Sequence, residues 1–180
     1  AALAVRRYRA FCALRVAHEL KQQQTIRDAV NTLTTMEYPI NLVRAADFLS
    51  FGKLARHEHL RDAGKLVVFD TVEQLALSNH PFVFFSHQWT SFTHPDPTHT
   101  QYACMVRALE LVMKTNGWDR RDALVWVDYS AIPQSHPGIQ GLAIRSLTAY
   151  ASTASAFIIV APRCTHSNLQ TPCDVGSYQR

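Results

Sequence analysis

Two apolar runs stop abruptly in polar residues. Phe82-Val83-Phe84-Phe85 gives way to Ser86-His87-Gln88-Trp89, and Val125-Trp126-Val127 gives way to Asp128-Tyr129, with Ile132-Pro133-Gln134 close behind. Runs this short, bounded by polar residues, predict strands buried on both faces over Phe82–Ser86 and Leu124–Asp128. Leu66–Phe69 and Phe157–Ala161 read the same way. Between them lie helical patterns: one opened by Asp70 with Glu73, one over Thr98–Thr115 that stops at Asn116-Gly117, and one near Ile139–Ser152. Strands alternating with helices of this length imply parallel strands joined by right-handed crossovers. The loop Thr90–Pro97 is too polar for burial to be expected.

Ahead of the alternation lies a different pattern. Tyr8, Phe11, Cys12, Val16 and Leu20 share one helical face, and Ile26, Val30 and Leu33 resume it after three glutamines. Glu37-Tyr38-Pro39 ends that arm, because a residue before proline avoids the helical region. A further helical patch is expected over Leu42–Leu54. The organisation read from the pattern is a helical arm over residues 1–63, an α/β domain over 64–163 and a polar tail over 164–180. A sheet that ends on such a tail leads us to expect that the natural domain continues past Arg180.

Composition narrows the function classes. Of 180 residues, 47% are hydrophobic and 18% charged, which fits a globular chain with a substantial core and excludes wholesale disorder. Much of the net charge of +4 sits in the first 27 residues, where Arg6, Arg7, Arg9, Arg15, Lys21 and Arg27 face only Glu19. With no basic stripe interleaved with aromatics, no nucleic-acid partner is expected. No apolar run approaches the ~20 residues of a membrane span. The four cysteines, Cys12, Cys104, Cys164 and Cys173, are few for this length and point to a reducing, cytoplasmic setting. Cys164-x-His166 with Cys173 matches no standard zinc spacing, and His94 and His99 lie on a polar loop where histidines more often face solvent, so no metal is expected.

In parallel α/β sheets, ligands bind where strands end at their carboxyl edge. That edge should gather Ser86, His87, Gln88 and Trp89, then Asp128, Tyr129 and Gln134, with Arg163 after the last strand. A His87–Asp128 hydrogen bond would fix one imidazole tautomer. Ser86 supplies the third residue type of a nucleophilic triad but lacks the glycines of a nucleophile elbow, so no catalytic residue is assigned. The alternative is structural: Ser86 and Asp128 cap the loops that follow them. As a cofactor or ligand cleft, the candidates are Ser86, His87, Trp89, Asp128, Gln134 and Arg163. Trp89 would stack a nucleotide ring and Arg163 would meet phosphate. No phosphate-binding glycine loop is present, which disfavours nucleotide binding of the Walker or dinucleotide kind.

From Phe82 to Ala161 the chain resembles the heterokaryon-incompatibility type of domain and, more distantly, TIR domains. Ser86-His87-Gln88-Trp89 is similar to that family's Ser-Tyr-x-Trp cluster, with His87 in place of the aromatic. Trp126-Val127-Asp128-Tyr129-Ser130-Ala131-Ile132-Pro133-Gln134 follows the family's Trp-Ile-Asp-x-x-Cys-Ile-x-Gln except at Ala131. Leu147-Thr148-Ala149-Tyr150-Ala151-Ser152-Thr153-Ala154 before Phe157-Ile158-Ile159-Val160 is similar to its third motif. The resemblance implies a three-layer, flavodoxin/TIR-like parallel sheet, and the N-terminal helical arm lies outside it. It also implies a signalling and assembly module that self-associates or docks a protein partner in recognition, cell-death or immune-type responses. Some TIR domains cleave NAD with a glutamate placed after the third strand. Here no Glu follows Glu110, and Asp174 is the only carboxylate beyond Asp128. NAD(P) hydrolysis, with NAD as substrate or ligand, therefore requires a catalytic Glu beyond residue 180.

Overall fold

The computed structural model describes residues 20–30 and 35–178, so most of the arm pattern lies outside the described residues. The chain divides into two units, Ala1–Thr35 and Met36–Arg180. In the first, residues 20–30 form helix α1, with Leu20, Ile26 and Val30 all exposed.

The second unit is built on a five-stranded sheet: β1 (Ile40–Arg44), β2 (Leu66–Phe69), β3 (Phe82–His87), β4 (Leu124–Trp126) and β5 (Ala156–Val160), in the order β2-β1-β4-β3-β5. β3 pairs parallel with β4 and β5, whereas β1 pairs antiparallel with β2 and β4. Four strands therefore run one way and β1 runs against them. This corrects the expected all-parallel sheet and the helix expected to begin at Leu42. A short apolar run does not declare its period. Pro39 holds the preceding backbone extended, β-branched Ile40 and Val43 favour a strand, and all four residues Ile40–Val43 are buried. Helix α2 (Ala45–Ser50) starts only where the strand ends. Residues 40–63 thus belong with the sheet rather than with an arm ending at 63.

Alternate side chains of each strand enter two cores. Val43, Val83, Phe85 and Val125 pack with Phe48 of α2 and with Tyr102, Met105 and Leu109 of α5 (Thr100–Asn116). Ile40, Leu42, Phe82, Phe84, Leu124 and Trp126 pack with Leu75, Ala143 and Tyr150 on the other face. These three come from α4 (Val72–Leu77), α7 (Pro137–Arg145) and α8 (Leu147–Thr153). The result is three layers, with helices on both faces of a mostly parallel sheet. Each fully buried core side chain such as Phe85 contributes about 2–3 kcal/mol by leaving water.

Local chemistry sets the helix ends. Thr71, not Asp70, caps α4: its side chain accepts the Gln74 amide at 3.2 Å, while the Gln74 side chain accepts the Asp70 amide at 2.9 Å. α5 stops as expected at Gly117, whose φ of 68° suits glycine alone without cost. The single helix expected over Ile139–Ser152 is two. Fully buried Ser146 divides them, accepting the backbone N–H groups of Glu37 at 2.8 Å and Tyr38 at 3.2 Å.

The loop after Trp89 is also less exposed than its polarity suggests. Thr90 and Asp96 are buried because Pro95 O accepts both the Thr90 amide (2.9 Å) and hydroxyl (3.0 Å), and Asp96 caps α5 through the Tyr102 amide at 2.8 Å. The polar tail carries structure as well: a hairpin of β6 (Cys164–Thr165) and β7 (Pro172–Cys173), then one helical turn, α9 (Val175–Tyr178). Two-residue strands are too short to leave a periodic trace. Among the described residues, no helix is long and apolar enough to cross a membrane.

Candidate functional site

The carboxyl ends of β3 and β4 lie side by side, in register at Phe84 and Trp126. β3 therefore delivers His87 and Trp89 next to Asp128, the first residue of α6 (Asp128–Ala131). On alternating strand positions His87 shares the face of Val83 and Phe85, beneath the start of α5. The His87 side chain is 1% exposed and that of Asp128 31%. Imidazole Nε2 stands 2.9 Å from Asp128 Oδ1, and Nδ1 stands 2.9 Å from Gln101 Oε1.

Gln101 fixes the charge of this ring. Its Nε2 donates to Gln88 O at 2.7 Å and reaches Pro95 O at 3.4 Å, so its Oε1 must face His87. Both imidazole nitrogens then meet acceptors, and only imidazolium donates from both. Burial alone would favour the neutral ring, but the hydrogen bond and charge of Asp128 outweigh it, and the His87 pKa is raised. Burial likewise favours a neutral Asp128. It is overridden by His87, by the Trp89 Nε1–H at 2.7 Å and by the Tyr129 amide at 2.6 Å, so the Asp128 pKa is lowered. The site holds a closed imidazolium–carboxylate pair.

This geometry limits the chemistry. A doubly donating ring has no lone pair with which to accept a proton, so His87 is not poised as a general base. Ser86, one residue earlier, points to the opposite face and places its hydroxyl 2.5 Å from that of Tyr178. The triad types are adjacent in sequence but not in space. What faces outward is aromatic: Trp89 meets Tyr129 edge-on with centroids 5.8 Å apart, and His94 lies 5.2 Å from Tyr129.

Gln134 and Arg163 stand apart from this cluster. The Gln134 side chain donates to Ile132 O at 2.7 Å, and its backbone amide donates to Glu58 Oε1, also at 2.7 Å. Arg163 is exposed, with no side-chain hydrogen bond or ion pair to a described residue. Glu58 lies on α3 (His57–Asp62), accepts the Ser135 amide at 2.8 Å and pairs with Arg56 Nε at 2.9 Å. Although burial would raise its pKa, its own backbone amide, followed by those of Ser135 and Gln134, holds it down at about 2. It anchors the loop after α6.

Gln101 and the anchoring role of Glu58 escaped the sequence reading. Gln101 had left a signal: it sits one turn before Met105 and two before Leu109, a polar residue on an apolar stripe. Among the described residues no three His, Cys, Asp or Glu side chains are grouped to hold a metal ion. A separate pocket of about 420 Å³ opens at the other edge of the sheet, between α4 and the start of β3, lined by Val72, Leu75, Asn79, His80 and Ser155. Neither the family models, the curated proteins nor the solved structures compared with this chain match it.

Proposed function

We propose that this chain is a TIR-like, heterokaryon-incompatibility-like signalling and assembly module, with a flavodoxin-like arrangement of its α/β layers. On this reading it works by self-association rather than by turnover, in recognition or cell-death and immune-type responses. The observation that carries the reading is the open edge of the sheet at β5. Among the described residues this strand ends the strand order and pairs only with β3. Its sequence, Ala-Phe-Ile-Ile-Val, has none of the charges or prolines that normally blunt an edge. Phe157 is 51% exposed and Ile159 54%.

The exposed ring also ends a ladder. Trp126 stacks on Phe84 at 4.0 Å and Phe84 on Phe157 at 5.1 Å, carrying aromatic surface from the core to the edge. A second copy laid antiparallel about Ile158 would set Phe157 of each chain beside Ile159 of the other. Covering the exposed halves of these four side chains contributes roughly 4 kcal/mol. That is near the lower bound of the cost of association, about 4–15 kcal/mol, so the contact is weak and concentration-dependent. The closed His87–Asp128 pair supports the same reading, since it makes the rim a support for the loops above it.

Light scattering over a wide concentration range tests this. Mass should rise with concentration in the natural chain and stay at one copy in Ile159→Lys, with unfolding unchanged. A natural chain that stays monomeric throughout sinks the proposal. A second reading, nucleotide binding or NAD(P) hydrolysis at the rim, rests on Trp89 and Tyr129 beside the partly exposed Asp128 carboxylate. Calorimetric titration with NAD, together with an assay for nicotinamide release, separates the two.

A further inference from the structure

We propose that Cys164 and Cys173 are a reversible dithiol–disulfide pair that latches the C-terminal hairpin against the rim of the site. The two residues stand directly opposite each other in the β6–β7 ladder. Residues so paired in antiparallel strands have Cα atoms about 4.5–5.5 Å apart, inside the 4.4–6.8 Å that a disulfide spans. Both thiols are free, and Cys164 Sγ already lies over its partner, 3.2 Å from Cys173 O. The far end of the hairpin is held by His166 N to Thr171 O at 2.9 Å and Gln170 N to His166 O at 2.8 Å. Joining the sulfurs therefore asks for side-chain rotation, with the backbone register already set.

The hairpin is tied to the rim at both ends. The Ser167 amide donates to Thr90 O at 2.7 Å, and Asn168 Oδ1 accepts the Phe92 amide at 3.0 Å. Beyond Cys173, the Ser177 hydroxyl donates to Gln88 Oε1 at 3.0 Å and the Tyr178 hydroxyl meets Ser86. A covalent bond between the strands would fix the segment that carries all four contacts.

The oxidant is a small-molecule disulfide of the glutathione class. The half-buried Cys164, the more accessible of the pair, attacks as thiolate and releases one small thiol, leaving a mixed disulfide. Cys173 thiolate then attacks the Cys164 sulfur and releases the second. Two protein thiols and one small disulfide become one protein disulfide and two small thiols, so atoms and electrons balance. Burial, the neighbouring Cys173 and the carboxylates of Asp96 and Asp174 hold the Cys164 thiol above its ordinary pKa. Closure should accordingly be slow near neutrality and quicken as pH rises.

The natural chain, incubated with glutathione disulfide across a pH series and mapped as non-reduced peptides, tests the pairing. The expected product is one linked peptide joining Cys164 and Cys173, two hydrogens lighter in intact mass and reversed by dithiothreitol. Cys12 and Cys104 should stay unlinked. Cleavage by protease within residues 163–178 should slow on oxidation, and Cys164→Ser should abolish that slowing. Glutathione that remains attached at Cys164, or a link to Cys104 or Cys12, would overturn the pairing. A Cys164–Cys173 link that leaves cleavage unchanged would overturn the latch.

Discussion

Asp128→Ala should destabilise this fold more than any other single change at the rim, and the loss should depend on pH. The substitution strips three donors of their acceptor at once: His87 Nε2, Trp89 Nε1 and the Tyr129 amide. Removing one partner of a buried ion pair typically costs about 3–5 kcal/mol, because the other charge is left uncompensated. The His87 side chain, 1% exposed, cannot recover its hydration, so this range applies. His87 has a raised pKa, so its contribution is complete below its ordinary value of 6.5 and fades as pH rises through the raised one. Asp128 has a lowered pKa, so its contribution is complete above its ordinary value of 3.8 and fades as pH falls through the lowered one. The penalty should be greatest between those ordinary values. On the alkaline side it should shrink towards about 1–2 kcal/mol, the worth of the remaining hydrogen bonds. Urea unfolding of both proteins from about pH 5 to about pH 9 measures this, with the midpoint falling by roughly 2 M at the acid end if m is about 2 kcal/mol/M. A penalty below about 1 kcal/mol, or one flat across the series, would refute the buried imidazolium.

Two further substitutions test the parts that hold the rim. Glu58→Gln should cost about 1–3 kcal/mol near neutral pH by weakening the charge-assisted bonds to the Gln134 and Ser135 amides. The difference from the natural chain should vanish as pH falls from 4.5 through about 2, because the natural carboxylate protonates there; acid unfolding followed by circular dichroism reads it. Gly117→Ala should lower stability by about 1 kcal/mol in thermal unfolding, although nothing lies within 4 Å of the new Cβ. Its φ of 68° is the cause, so Gly117→Asn should lose less.

Much of the fold was legible because its inner strands are uniformly apolar and end in polar residues. Phe82–Phe85 and Leu124–Trp126 became the sheet's middle, and Asn116-Gly117 stopped α5 as read. β1 was not legible: three apolar residues around Asn41, just before a helix, carry no clear period, and pairing with β2 and β4 completes the strand. The meeting of His87 and Asp128 followed from two strand ends at one edge. Its meaning did not. The charge on His87 depends on which way the Gln101 amide points, and that is set by the carbonyls of Gln88 and Pro95. Gln134 left the cluster because Glu58, on a helix thought to lie in the arm, holds its backbone instead. Strand alternation could have separated Ser86 from His87 at the outset, since neighbours on a strand face opposite ways.

Amide hydrogen exchange along β5, measured on dilute and concentrated samples of the natural chain, tests association through this edge most directly. The account predicts that amides within Ala156–Val160 on the side away from β3 exchange freely when dilute and become protected on concentration. The core amides of β4 should be protected equally in both. Exchange in β5 that is the same at the two concentrations while the mass rises would place the contact elsewhere and contradict the account.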